Sequence, residues 1–218
     1  MRPAAATLCL AVFALSGCVD TVFESLPGKH ISQCDPHFVG KWRLLSQDTD
    51  RKDDKSLFLV VEPGCMALHL FENGKDDTET DRQTHLAFAS VGTKSLLAVK
   101  FDNDKSHTDK VDWSNGFHYF LYDLSNHEIR LRPADDVAVA HLIIDGKLQG
   151  RTEKISAEPG GQHRNHGSEL HNYVAGDSEA MAKAVELGGV FADTPYFTLK
   201  PATDAEISAS AKPSPKSK

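Results

Sequence analysis

Between residues 37 and 132 short apolar runs recur, several of them alternating with polar positions at a period of two, and turn-forming pairs and polar stretches punctuate them. SLFLVVEPGCMALHLFEN places two apolar runs around Pro63-Gly64, with proline suited to the first central position of a type II turn and glycine to the positive-φ position after it. A β-hairpin is expected there, and Met66, Leu68 and Leu70 alternate with Ala67, His69 and Phe71 along its second arm. Asn73-Gly74 is the next turn signal. QTHLAFASVGTKSLLAVKFDN repeats the pattern: Leu86 and Phe88, a break at Gly92-Thr93, then Leu97, Val99 and Phe101 alternating with Ala98 and Lys100. After a polar stretch at 102–115, expected to be a loop, GFHYFLYDLSNHEIRLRP predicts a further hairpin with Ser125-Asn126 in its turn. Such a succession predicts an antiparallel meander curled into a barrel or a sandwich, which removes exposed sheet edges.

The pattern changes at DDVAVAHLIIDGKLQG. Val137, Leu142 and Ile143 fit one helical face, Asp135 or Asp136 can cap the start and Gly146 the end; the β-branched residues leave a strand as the alternative. QGRTEKISA and LHNYVA are expected strands, and Asp177 caps an expected helix over DSEAMAKAVELGG before a last strand, YFTLKPA. EPGGQHRNHGSE, residues 158–169, is expected to be a loop. The predicted class is therefore mainly β, a β-rich α+β chain with one or two short helices near its C-terminal half. Residues 19–36 show no sustained period and contain Pro27, Gly28 and Pro36, so 18–36 is expected to be a tether and 37–201 a single domain. Residues 202–218, rich in Ala, Ser, Pro and Lys without an aromatic, are expected to form a disordered tail.

Ahead of that region lies Arg2, then an apolar stretch from Ala4 to Leu15, too short for the roughly 20 apolar residues of a membrane-spanning helix. This is the layout of a secretory signal, here residues 1–17. Leu15-Ser16-Gly17-Cys18 resembles the lipobox of bacterial lipoproteins. The resemblance implies cleavage before Cys18, a diacylglycerol on its sulfur and an acylated amine, and so a membrane partner reached through lipid. Val19 rather than an aspartate follows the cysteine, which by the same resemblance favours the periplasmic face of the outer membrane.

Removing residues 1–17 from the 218 leaves 201, and loss of Arg2 takes the formal charge from −7 to −8. That balance argues against nucleic acid as a partner. Cys9 leaves with the signal and Cys18 is taken by lipid, so Cys34 and Cys65 remain. In an oxidising compartment they are expected to pair, closing a loop of about 30 residues; buried thiols and a redox couple are the alternatives.

His163, His166 and His171, with Glu169 between them, have the ligand types of a zinc or copper site, but their spacing matches no established one. Among 11 histidines such clustering arises readily by chance, so no metal or other cofactor is expected. The chain has no HExxH, Gly-x-Ser-x-Gly or SxxK motif, and no catalytic residues are assigned. Gly40-Lys41-Trp42 resembles the Gly-x-Trp of the first lipocalin strand, where the tryptophan closes the barrel floor. Two functions are expected from these readings: a lipid-anchored, non-enzymatic module that binds a protein of the envelope, such as an inhibitor or immunity protein, or a lipocalin-like carrier of a small apolar ligand.

Overall fold

The computed structural model describes residues 20–28, 31–46, 57–65, 68–72, 75–76, 84–101, 116–155 and 169–210. The expected signal and Cys18, the 102–115 loop, the Asn73-Gly74 turn, Met66, residues 158–168 with His163 and His166, and residues 211–218 lie outside them. In chain order the strands are β1 (Asp20–Phe23), β2 (Ile31–Ser32), β3 (Gly40–Ser46), β4 (Leu57–Val61), β5 (Leu68–Glu72), β6 (Lys75–Asp76), β7 (Thr84–Val91), β8 (Lys94–Phe101), β9 (His118–Ser125) and β10 (Glu128–Pro133). Helix α1 (Asp136–Ile144), β11 (Gly150–Ile155), β12 (Glu169–Val174), α2 (Ser178–Glu186), β13 (Phe197–Pro201) and α3 (Asp204–Ser210) follow.

Among the described residues, ten strands form one antiparallel sheet, curled into a half-barrel, in the order β2-β7-β8-β9-β10-β13-β3-β4-β5-β6. The mainly β, curled class predicted from alternation is what the chain adopts. Its connectivity is less simple than one unbroken meander. β3 to β6 form one meander and β7 to β10 another, and the last strand, β13, joins them by pairing with β10 on one side and β3 on the other. β1, β12 and β11 form a second sheet, in which β1 runs parallel to β12.

Local chemistry explains the turns. The Glu62 carbonyl accepts from the Cys65 N–H at 2.9 Å, and Gly64 at φ 74° and ψ 8° occupies the left-handed position of a type II turn. Between β9 and β10 the two central residues are Asn126 and His127, with Ser125 paired to Glu128. Their φ values of 52° and 62° are those of a type I′ turn, which matches strand twist and shifts the centre one residue beyond the expected Ser125-Asn126. Asp135 caps α1 through the Ala138 N–H at 3.0 Å, and Gly146 at φ 70° closes it, so the helix prevails over the strand alternative. Asp177 accepts from the N–H groups of Glu179 and Ala180 and starts α2.

Strands β7 to β9 are covered on both faces. Ala87, Ala89, Leu96 and Ala98 turn towards a core shared with Val139 of α1 and Val185 of α2, whereas Phe88, Leu97 and Val99 turn into the half-barrel, where Trp42, Ile129 and Leu199 meet them. The alanines leave room for the helical layer.

Two expected boundaries are corrected. Within the expected tether, Val22 and Phe23 are 1% and 0% exposed. The Gly28 N–H donates to the Ser178 carbonyl at 3.0 Å, and the Ser178 hydroxyl returns a bond to the Gly28 carbonyl at 2.7 Å. Residues 20–28 and 31–36 are therefore part of the fold; DTVF is too short to display a period. Within the expected tail, Thr203 and Glu206 form a reciprocal capping box that starts α3: the Thr203 N–H donates to the Glu206 carboxylate at 2.7 Å, and the Glu206 N–H to the Thr203 hydroxyl at 3.3 Å. Ile207 is buried, and Lys41 pairs with Asp204 at 2.5 Å, which holds the helix beside β3.

Candidate functional site

Two groups of polar side chains stand out, one beside the first strand and one beside the disulfide. The first is a row across the small sheet. Thr21, Asn172 and Thr152 are register partners on β1, β12 and β11, and their side chains face α1. The Thr21 hydroxyl donates to the Asp136 carboxylate at 2.6 Å. Asn172, fully buried, donates to the Thr21 hydroxyl at 3.1 Å and to the Asp136 carbonyl at 2.9 Å, while its amide oxygen accepts from Thr152 at 2.9 Å. A four-residue strand has few ladder bonds to define its register. The buried amide supplies that definition, because any slip would leave it unpaired at a cost of about 1–3 kcal/mol.

Gly116 allows β1 to meet the large sheet. A Cβ there would fall 2.0 Å from the Val22 Cγ1, so only glycine permits the approach. Phe23 and Phe117 then exchange backbone hydrogen bonds of 2.9 and 2.8 Å and tie the two sheets together.

The second group surrounds the Cys34–Cys65 disulfide, whose Cα atoms are 5.2 Å apart. The expected pairing is present, in place of buried thiols. The next residue, Asp35, caps the short turn Pro36–Phe38 and takes hydrogen bonds from the His37 N–H at 2.9 Å and the Tyr122 hydroxyl at 2.6 Å, with the His37 Nδ1 at 2.7 Å. Burial is the largest single influence on the Asp35 carboxyl and raises its pKa, but the bonds from Tyr122 and His37 and the charge of His37 together outweigh it and hold the group below its ordinary value. Burial, followed by the bond to Asp35 and its charge, pushes the Tyr122 phenol up. Tyr122 is thus a hydrogen-bond donor rather than a nucleophile. The arrangement orients an exposed imidazole and clasps the disulfide segment to β9; Asp35 and Tyr122 are far apart in sequence, so no local motif announces them.

A pH dependence follows. The depressed folded pKa means that, as pH falls, the unfolded chain takes up the Asp35 proton first; the stabilisation is complete above about pH 4 and is lost as pH drops through the folded value. Asp35→Asn is expected to cost about 1–2 kcal/mol at pH 7 and distinctly less at pH 3, as measured by urea denaturation at both. An equal loss at the two pH values would contradict the role given to the carboxylate.

The other residues singled out from sequence are more scattered. Trp42 points into the half-barrel, its indole N–H donating to the Phe38 carbonyl at 2.7 Å. Phe38 packs against Phe88 and Tyr122 with ring centroids 4.9 and 5.1 Å away, so the interior around Trp42 is occupied by side chains. His171 lies on β12 opposite Asp20 on one side and Glu153 on the other. Among the described residues no group of three or more His, Cys, Asp and Glu side chains is placed to hold a metal ion. No protein-family model matches this chain, and neither does any curated protein or solved structure.

Proposed function

We propose that the protein is a lipid-anchored module of the bacterial envelope, acylated at Cys18 on the periplasmic face of the outer membrane, that binds a protein partner without catalysing a reaction. The observation that carries this reading is strand β1 at Asp20–Phe23, packed into the fold with Val19 alone between its first residue and the lipobox cysteine. An acyl group on Cys18 then holds the domain against the bilayer instead of at the end of a tether, as suits a protein that acts at a surface. Two or three acyl chains give stable attachment where one alone is marginal. The side chains packed around Trp42 favour this reading over a carrier of an apolar ligand, although the inward tryptophan after Gly40 is the feature a carrier would share.

In a bacterial host, the wild-type chain is expected to fractionate with membranes and to show the mass of an acylated N-terminal Cys18, whereas Cys18→Ala appears in the soluble periplasmic fraction. Unchanged fractionation of Cys18→Ala, or an unacylated mature mass, would remove the anchor and the reading with it. The partner is sought by crosslinking the soluble variant to envelope extracts, and the carrier alternative by native mass spectrometry for a co-purified small molecule.

A further inference from the structure

We infer that the outer face of α1 is the surface on which the anchored domain rests against the lipid bilayer, an inference that depends on the acylation of Cys18 proposed above. The helix, DVAVAHLII, is apolar around most of its circumference. Val139 and Ala140 are buried against the fold, yet Val137 and Ile144 are 57% and 73% exposed. These are the two most exposed large hydrophobic side chains among the described residues. With His141 between them they fall at i, i+4 and i+7, one stripe about 10 Å long on the face away from the core.

The path of the chain identifies what covers the stripe. The Thr21 hydroxyl donates to Asp136, the first residue of the helix and the neighbour of Val137. Cys18 precedes Thr21 by three residues, which span at most about 11 Å when extended. The attached lipid therefore enters the bilayer within about two helix diameters of the start of α1. The Thr21–Asn172–Asp136 bonds fix β1 to α1, so the helix cannot swing away from the anchor. Around the stripe, the exposed charges of Asp135, Asp145 and Lys147 form a polar rim, with Asp145 and Lys147 paired at 3.5 Å. Apolar side chains flanked by charge suit the boundary between acyl chains and headgroups.

The test uses the full chain, acylated in its host and reconstituted into vesicles of phosphatidylethanolamine and phosphatidylglycerol containing a doxyl-labelled lipid. Cys18 is blocked by its acyl group and Cys34 and Cys65 by their disulfide, so Ile144→Cys supplies a single free thiol for a bimane fluorophore. Leu124→Cys, at an exposed apolar position on the large sheet, is the matched control. Quenching is expected to be at least about twofold at 144 and negligible at 124, and Val137→Glu in the same labelled protein should reduce quenching at 144 to the control level. Equal quenching at both sites, or none at 144 in protein whose acylation is verified by intact mass, would overturn the orientation while leaving the anchor standing. Absence of the acyl mass would instead bring down the anchor and this inference together.

Discussion

Replacing Cys34 and Cys65 together by alanine is expected to lower the unfolding free energy by roughly 3 to 4 kcal/mol, read from urea denaturation of the Cys18→Ala variant under non-oxidising and oxidising conditions. The estimate comes from the loop closed by a bond between residues 31 apart, whose constraint removes conformational freedom from the unfolded chain. The folded state adds a local consequence. Cys34 leads directly into Asp35 and the short turn that carries Phe38, which is almost fully buried beneath the half-barrel and receives the Trp42 indole bond on its carbonyl. Freed from β4 and its turn, that segment is still held by Tyr122 through Asp35, so the variant should remain folded with its tryptophan environment loosened. Serine in place of alanine should give the same loss. A change below about 1 kcal/mol would show that the segment is held by Asp35 and Phe38 alone and that the cross-link is redundant.

Elements whose signals are local were readable from the chain. Pro63-Gly64 dictates its turn because one residue fixes φ and the next accepts a positive value, and Asp135 and Asp177 each cap a helix with the side-chain oxygen three residues or fewer from its donors. Long-range pairing was not readable in the same way. Nothing in YFTLKPA says that β13 belongs between β10 and β3, since its alternation suits an edge strand as well as a central one. The two-sided burial of β7 was also hidden: Ala87 and Ala89 look like the indifferent face beside Phe88, although their small size is what admits the helical layer. The capping box of α3 was present as TDAE, but the Ala, Ser, Pro and Lys composition around it masked a seven-residue helix. At the candidate sites, the cysteine pairing followed from counting, whereas Asp35, Tyr122 and Asn172 meet partners supplied by distant strands and carry no spacing signature.

Phe23→Ala is expected to cost about 3–5 kcal/mol, the range for removing a fully buried aromatic side chain and leaving a cavity. Phe23 is inaccessible to solvent, and its ring stacks on Tyr119 with centroids 4.1 Å apart and planes within 4°. Tyr119 in turn donates its hydroxyl to the Ser25 carbonyl, and burial pushes its phenol far above the ordinary range, so it stays protonated as that donor. Phe23→Leu retains most of the volume and is expected to lose less than about 1.5 kcal/mol. Denaturation midpoints in the Cys18→Ala background compare the two directly; a change below about 0.5 kcal/mol for alanine would return residues 20–28 to the role of a linker. The distinction reaches beyond stability. A domain on a flexible tether presents every face to its surroundings, whereas one whose first strand is locked by Phe23, Gly116 and Asn172 passes the direction of its anchor on to the whole fold. If Cys18 is acylated, the packing of Phe23 is what turns attachment into orientation: α1 is held towards the lipid, and the faces left free for a partner are those turned away from it.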